Sequence, residues 1–240
     1  MLTATKSIAA CAFALCANTV FSQNLTQEPL KNVAQLSASS SVEVPQDVLS
    51  MSMTTSRDGG EAGAVQAQLR QALDAALAQA RQAAAPGLME VRTGNFSLYP
   101  RYGKDGRISG WQGSAELVLE GKDFPRITGT AGKLQTLSPG SVSFSLSREQ
   151  RARVEGEAQA RAIERFKARA TEISGAFGFG SYALREIAVE TSEQGPGPRP
   201  RAMAMSAKFE GADVPVPVEA GKSTVVVTVS GSVQMLPGRP

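Results

Sequence analysis

The chain has 240 residues, of which 42% are hydrophobic and only 5% aromatic, and a formal net charge of +3 from 25 basic and 22 acidic residues. This is enough apolar sequence for one large or two small domains, and the dispersed basic residues without interleaved aromatics argue against nucleic acid as a partner. The chain contains no histidine, which excludes a Ser-His-Asp triad, a histidine base and an imidazole zinc site.

Residues 1–22 have the pattern of a secretory signal peptide. Lys6 supplies the positive charge, and the apolar stretch from Ile8 to Val20 is short for a membrane span. Val20-Phe21-Ser22 offers acceptable residues for cleavage before Gln23. The sequence therefore predicts an exported, periplasmic protein with no integral membrane span after the signal is removed.

The two cysteines, Cys11 and Cys16, both lie in this signal. A lipoprotein signal ending at Cys11 is the weaker alternative, because it would leave too short an apolar stretch for the export machinery. We therefore expect a mature chain without a disulfide or a thiol nucleophile, whose stability comes from packing.

The first half of the mature chain reads as a β-α-β-β unit. Polar and apolar residues alternate in the strand segments, and Pro45 predicts an edge or a bulge because it cannot donate to a sheet. Gly94-Asn95 marks a change of register that a bulge would reconcile. The predicted elements are a flexible arm at 23–35, strands at 36–44 and 48–55, a helix at 61–85 with Asp58 as candidate cap, and strands at 88–99 and 108–120.

The second half repeats that order after a short predicted helix within 123–137 and a turn at Ser138-Pro139-Gly140. Ser147 and Gln150 are spaced as a capping box at the start of a long helix, 148–175. Its apolar face comprises Val154, Ala158, Ala162, Phe166, Ala170, Ile173 and Phe177. The strand at 141–147 that precedes this helix alternates strictly between polar and apolar residues, which predicts a half-buried strand. Strands at 181–191, with a register slip near Arg185, and at 222–236 follow the helix.

These elements predict an α+β fold of two β-α-β-β-like halves, with mostly antiparallel sheet, two long helices and one short helix. We take 36–236 as the folded domain and 237–240 as a tail. The alanine-rich face of the long helix fits two interpretations that periodicity cannot separate: packing on its own sheet, or contact with the helix of another subunit.

A Pro/Gly-rich segment at 193–220 interrupts the second half. Loops of this length in compact domains are uncommon and are usually functional or disordered. Methionines on an adaptable segment suit a partner surface. The candidate partner contacts are Arg199, Arg201, Met203, Met205 and Phe209.

No arrangement of carboxylates in the sequence predicts acid-base catalysis. Glu116 and Glu120 are four residues apart on a strand, roughly 13 Å, which is too far for a glycosidase pair. Glu155 and Glu157 are two apart on a helix and do not face each other. We therefore expect these side chains at the solvated surface, and predict no catalytic residue, cofactor or metal.

Taken in order, several segments of the chain resemble the SIMPL-domain family of bacterial exported proteins, over about 36–236. The segments that carry the resemblance are Ser39–Asp47, Leu98–Tyr102 with Ser109–Trp111, Val142–Ser147, Gly178–Gly180 and the Val-rich strand after Glu219. Departures are Gln46 inserted into the Pro-Asp pair and Trp111 in place of the usual tyrosine.

The resemblance implies a periplasmic or surface-associated protein, in some members linked to oxidative stress or antigenicity and in some assembled into ring-like or channel-like homo-oligomers. It implies no catalytic residues. Our leading hypothesis is a non-enzymatic, self-associating protein, periplasmic or associated with the outer membrane, with a structural or stress-protective role. The alternative is a periplasmic binding module that uses the 193–220 loop for a small ligand or an envelope protein partner.

Overall fold

A computed structural model describes residues 31–194 and 218–238. Residues 1–22, assigned above to a signal peptide, lie outside these ranges, as do all five candidate partner contacts. The elements are β1 Val33–Pro45, β2 Val48–Gly59, α1 Ala62–Ala83, β3 Glu90–Tyr102, β4 Ile108–Gly121, α2 Phe124–Lys133, β5 Ser138–Ser145, α3 Arg148–Ala176, β6 Ser181–Gln194 and β7 Lys222–Leu236.

The strands form two antiparallel sheets, so the predicted α+β class is confirmed. Sheet I has the order β3-β4-β2-β5, and sheet II has the order β1-β7-β6. Helices α1 and α2 pack on sheet I, and α3 packs on sheet II, so each sheet has its own helix layer and its own apolar core. The apolar residues of alternating strands and of the facing helix stripe meet in these cores.

If each β-α-β-β half formed its own sheet, β1 would lie in sheet I and β5 in sheet II. The structure has the opposite arrangement. Strand β5 precedes α3 in sequence, yet it pairs with β2 in sheet I, whereas β1 pairs with β7 in sheet II. The predicted break after Pro45 is the point where the chain leaves sheet II for sheet I. Pro45 itself lies on β1, an edge strand, as expected for a residue that cannot donate to a ladder.

The alanine-rich face of α3 packs on its own sheet. Ala158, Ala162 and Ala170 are fully buried against a cluster that includes Leu36 and Val227, from β1 and β7. This assigns the face to intramolecular packing, because small side chains let the helix approach the sheet closely. Phe177, predicted on this face, instead lies at the C-cap of α3 and is 71% exposed.

Helix α3 ends in a Schellman motif. Gly178 has a φ of 77°, and the N–H of Phe179 donates to the carbonyl of Ser174 at 2.9 Å. Gly178 therefore ends the helix, because glycine adopts the left-handed conformation without steric cost.

Three local predictions are wrong. Asp58 does not cap α1, because β2 continues to Gly59 and the N-cap is Glu61 without a side-chain hydrogen bond. Ser138-Pro139-Gly140 begins β5 rather than forming a turn. The β5 strand is also mostly exposed and not half-buried, with only Phe144 packed against the core, because it lies at the edge of sheet I.

The predicted register changes are confirmed. The β3–β4 pairing shifts between Thr93 and Phe96, and the β6–β7 pairing shifts between Leu184 and Glu186. Each inserts an irregularity that restores the apolar face after a change of parity. Within the ranges that the structure describes, none of the helices is long and apolar enough to cross a membrane.

Candidate functional site

The two connections that cross between the sheets lie side by side. One carries the chain from β1 to β2 through Gln46 and Asp47, and the other carries it from β5 to α3 through Leu146 and Ser147. The backbone N–H of Asp47 donates to the carbonyl of Ser145 at 3.1 Å, and that of Gln46 donates to the carbonyl of Gly221 at 3.0 Å. The crossing is therefore held by backbone hydrogen bonds to the end of β5 in sheet I and to the residue that precedes β7 in sheet II.

Gln46 adds a buried side-chain link at this crossing. Its side-chain amide donates to the carbonyl of Phe144 and to the hydroxyl of Ser223, both at 3.1 Å. Both Gln46 and Ser223 are buried. Because a buried amide without partners would be costly, this pair of hydrogen bonds ties β5 of sheet I to β7 of sheet II.

Asp47 completes the cap of α3. Its carboxylate accepts one hydrogen bond from the backbone N–H of Ser147 and one from the Ser147 hydroxyl, each at 2.6 Å. The Ser147 hydroxyl in turn accepts from the backbone N–H of Gln150 at 3.2 Å. The Ser147 half of the predicted capping box is therefore confirmed, whereas Asp47 takes the place expected for the Gln150 side chain, which accepts instead from Arg153.

Lys122 links the end of sheet I to this cap. Its Nζ lies 3.1 Å from a Glu149 carboxylate oxygen and 3.7 Å from Asp47. Burial acts to raise the pKa of Asp47, but the hydrogen bonds from Ser147 and the Lys122 charge outweigh it and hold that pKa below its ordinary value. The hydrogen bond to Glu149 raises the pKa of Lys122, so its ammonium stays protonated.

A cavity of about 460 Å³ opens beside these groups. Its lining residues include Glu90, Glu120, Lys122, Ser147 and Glu149. The Ser147 hydroxyl donates to Asp47 and accepts from the backbone N–H of Gln150, and the Lys122 ammonium pairs with Glu149. The hydrogen bonds and ion pairs of this cluster act on the fold: they fasten the start of α3 to the sheet crossing.

Metal binding has no evident ligand set in residues 31–194 and 218–238. Within these ranges, no three or more acidic residues or cysteines are grouped closely enough to hold a metal ion. Three of the carboxylates considered in the sequence, those of Glu116, Glu120 and Glu157, each have a single backbone or side-chain partner instead.

Those carboxylates have local structural partners. Glu116 accepts a hydrogen bond from the backbone N–H of Asn95 at 3.0 Å, which supports the β3 bulge. Glu120 pairs with Arg92 at 3.4 Å, and Glu157 pairs with Arg161 on the next helical turn at 2.6 Å. These contacts lie at the exposed surface, where such pairs contribute little to stability.

Sequence reasoning did not identify Gln46 and Asp47 as interacting residues. The available signals were a strand break at Pro45 and a helix cap at Ser147, but nothing in the sequence indicated contact between Asp47 and Ser147, which are 100 residues apart. The five candidate contacts of the 193–220 segment lie outside the described residues.

Two surfaces leave apolar side chains exposed. At the β3–β4 hairpin, Tyr99, Tyr102 and Ile108 are 65%, 66% and 54% exposed. Along β6, Leu184, Ile187 and Val189 are 49%, 48% and 46% exposed. Contiguous exposed apolar residues of this kind mark interaction surfaces more often than isolated ones do.

One family model matches most of the chain. It is described as SIMPL, a protein of unknown function (DUF541), and it covers residues 34–233. The matched range starts at the second residue of β1 and ends within β7, so it includes both sheets and all three helices described above. No curated protein matches the chain.

Proposed function

The chain belongs to the SIMPL family, and we propose that it is a non-enzymatic, exported periplasmic protein that self-associates and has a structural or oxidative-stress-protective role in the cell envelope. Export is supported by the positive residue, the short apolar stretch and the cleavage pattern of residues 1–22. The absence of histidine from the sequence supports a role without acid-base catalysis at neutral pH.

Self-association is supported above all by the exposed β3–β4 hairpin. Tyr99, Tyr102 and Ile108 lie near its tip, and Tyr102 is directly opposite Ile108 in the strand pairing. Tyrosine is enriched at protein interfaces because it combines a large apolar ring with a polar hydroxyl. A second copy would remove these rings from water and so gain the free energy of their burial.

The first test is the concentration dependence of mass for the chain starting at Gln23, measured by light scattering. We expect an oligomer that weakens when Tyr102 and Ile108 are both replaced by serine. Phe177→Ser is the matched control, because Phe177 is equally exposed but lies at the far end of α3. A monomer at every concentration, or equal weakening by the control, would contradict the proposal.

Export and the envelope role need separate measurements. Full-length chain expressed in a Gram-negative cell should appear in the periplasmic fraction, shortened to begin at Gln23. Replacing Lys6 and disrupting the apolar stretch with two aspartates should retain it in the cytoplasm. A strain lacking the protein should lose viability under peroxide, and equal survival with and without the protein would remove the stress-protective part of the proposal.

The length of the β6–β7 connection favours a second candidate, a binding module that uses the 193–220 loop. These two strands are antiparallel neighbours, which a short hairpin could join, yet residues 195–221 separate them. Deleting 196–212 should then abolish recovery of a ligand or envelope partner while leaving the circular dichroism spectrum unchanged. Unchanged partner recovery after the deletion would rule this candidate out.

A further inference from the structure

Strand β2 extends beyond its neighbour at one end of sheet I. It pairs with β4 as far as Gly59, opposite Trp111, but its pairing with β5 stops at Thr54, opposite Ser138. In the part of the chain that the structure describes, residues 55–59 therefore have a neighbouring strand on one side only. The edge of the sheet has a step at this point, where polar groups of β2 are open to a ligand.

A cavity of about 330 Å³ opens at this step. Its volume is near the lower end of the range of about 300–1,000 Å³ that small-molecule sites occupy. Within the described ranges, the lining contains no carboxylate, so the cavity combines one positive charge with hydroxyl groups. The lining residues are Thr54, Thr55, Ser56, Arg57, Ser114 and Ser138.

The guanidinium of Arg57 is held in one orientation. Its Nη1 donates to the Thr55 hydroxyl at 2.9 Å and to the carbonyl of Ser56 at 2.8 Å. Among the residues described, Nε and Nη2 have no acceptor, and the side chain forms no ion pair. The Nε–Nη2 edge of a guanidinium is one of those that bind an oxyanion through two parallel hydrogen bonds, and here it is available.

Hydroxyl groups from three strands surround this arginine. Thr54 lies opposite Ser138 of β5, and Ser56 lies opposite Ser114 of β4, so these four hydroxyls share one face of sheet I. Met53, which has the other parity, is in the core under α1. The hydroxyls are therefore on the face away from the helices, where each can donate to an anion oxygen.

The nearest carboxylates of β2 and β4 are turned towards β3. Glu116 accepts the backbone N–H of Asn95 at 3.0 Å, and Asp58 pairs with Arg101 at 3.5 Å. Both partners belong to β3, on the far side of β4 from the cavity. The positive charge of Arg57 is therefore not neutralised by a direct contact with either carboxylate.

We propose that this cavity binds a phosphate group through the Nε–Nη2 edge of Arg57 and the surrounding hydroxyls. The planar arginine fork matches two oxygens of a phosphate. A tetrahedral phosphate has further oxygens for the hydroxyls of Ser56, Ser114 and Ser138, whereas a carboxylate has only the two that the fork would take. This goes beyond the proposed function, because it needs neither self-association nor the 193–220 segment.

Arginine side-chain NMR tests the site on the chain starting at Gln23. Titration with inorganic phosphate at constant ionic strength should shift the Nε–H signal of Arg57 and the backbone amides near Thr55. Arg57→Lys should weaken phosphate binding at least tenfold, because an ammonium keeps the charge but has no planar fork. The matched control, Arg92→Gln, removes a positive charge from the same sheet outside the cavity and should leave binding unchanged.

Thr55 gives a second comparison, because its hydroxyl orients the guanidinium. Thr55→Val keeps the shape of the side chain and should weaken phosphate binding several-fold, whereas Thr55→Ser should bind as the wild-type chain does. Circular dichroism checks that each variant is folded. Equal shifts with chloride, equal affinity for acetate, or unchanged phosphate binding in Arg57→Lys or Thr55→Val would overturn the proposal.

Two sources present this chemistry, a soluble phosphomonoester and a lipid headgroup with a terminal phosphate. The probes are glycerol 3-phosphate and phosphatidylcholine vesicles that contain phosphatidic acid. Binding to one of them that is lost in Arg57→Lys and kept in Arg92→Gln would support the site and identify its source. Binding to neither probe, or equal binding by both variants, would contradict the proposal.

Discussion

The carboxylate of Asp47 accepts two hydrogen bonds of 2.6 Å from Ser147, a residue 100 positions later in the chain. One comes from the backbone N–H that begins α3 and the other from the hydroxyl that caps it. Because Asp47 also lies where the chain passes from sheet II to sheet I, this pair joins the helix start to the sheet crossing. The two halves are therefore tied by a residue pair that belongs to neither core.

Replacing Asp47 by asparagine should lower the free energy of unfolding by about 1–2 kcal/mol at pH 7. A hydrogen bond to a charged group contributes about 1.5–3 kcal/mol when buried, and the partial exposure of Asp47, 30% for its side chain, reduces that. Denaturant unfolding followed by circular dichroism measures the change. Asp58→Asn is the control: Asp58 is 71% exposed in its pair with Arg101, so its loss should cost less than about 0.5 kcal/mol.

The loss in the free energy of unfolding that Asp47→Asn causes should depend on pH. Burial acts to raise the pKa of Asp47 in the folded state, but the hydrogen bonds from Ser147 and the Lys122 charge lower it by more, so the folded pKa is below the ordinary value. A carboxyl of this kind stabilises the fold above its unfolded pKa of about 3.9, and this contribution is lost as the pH falls through the lower folded pKa. The difference between wild type and variant should be constant from pH 5 to 8 and shrink below about pH 4. A difference that grows on acidification would contradict this sign.

Ser147→Ala should destabilise the fold by about 1–2 kcal/mol, because it removes both the N-cap acceptor for Gln150 and a donor to Asp47. The double variant with Asp47→Asn should cost less than the sum of the two single variants, since both remove the same hydrogen bond. Equilibrium unfolding of all four proteins gives this coupling. Ser143→Ala, at an exposed β5 position, is the control; strict additivity would show that the two residues act independently.

Gly178→Ala and Gly156→Ala should change stability in opposite directions. Gly178 has a φ of 77° at the end of α3, a conformation that costs an alanine roughly 1 kcal/mol. Gly156 is inside α3, and a Cβ there would contact nothing within 4 Å, so alanine should stabilise by up to about 1 kcal/mol. Thermal unfolding compares the two variants, and an unchanged or raised stability for Gly178→Ala would refute the helix-end assignment.

Gly231→Ala should be among the most damaging substitutions in sheet II. A Cβ at Gly231 would overlap the backbone carbonyl of Glu186, beside the irregularity in β6. Because backbone cannot rotate away as a side chain can, we expect a loss of about 2–3 kcal/mol or more. Gly129→Ala in α2 is the open control, with no atom within 4 Å of the added carbon. Unfolding midpoints that shift equally for both would contradict this geometry.

Sequence patterning predicted most elements because each depends on nearby residues. The span of β7, Lys222–Leu236, follows from its dense β-branched run, and the start of α3 follows from Ser147 as its cap. The two register slips were visible as changes of parity. The sequence-based predictions were wrong where pairing with a distant strand outweighed a local preference. Asp58 is a good cap residue, but pairing with β4 continues β2 through Asp58 to Gly59.

The sequence alone determined the α+β class, the order of strands and helices, and the absence of histidine chemistry, because periodicity, capping and composition are local properties. Only the tertiary structure decided which strands pair. It placed β1 in sheet II and β5 in sheet I, and so brought Asp47 into contact with Ser147. It also packed the alanine-rich face of α3 on its own sheet. Pairing depends on contacts between residues far apart in the chain, whose energies no local pattern records.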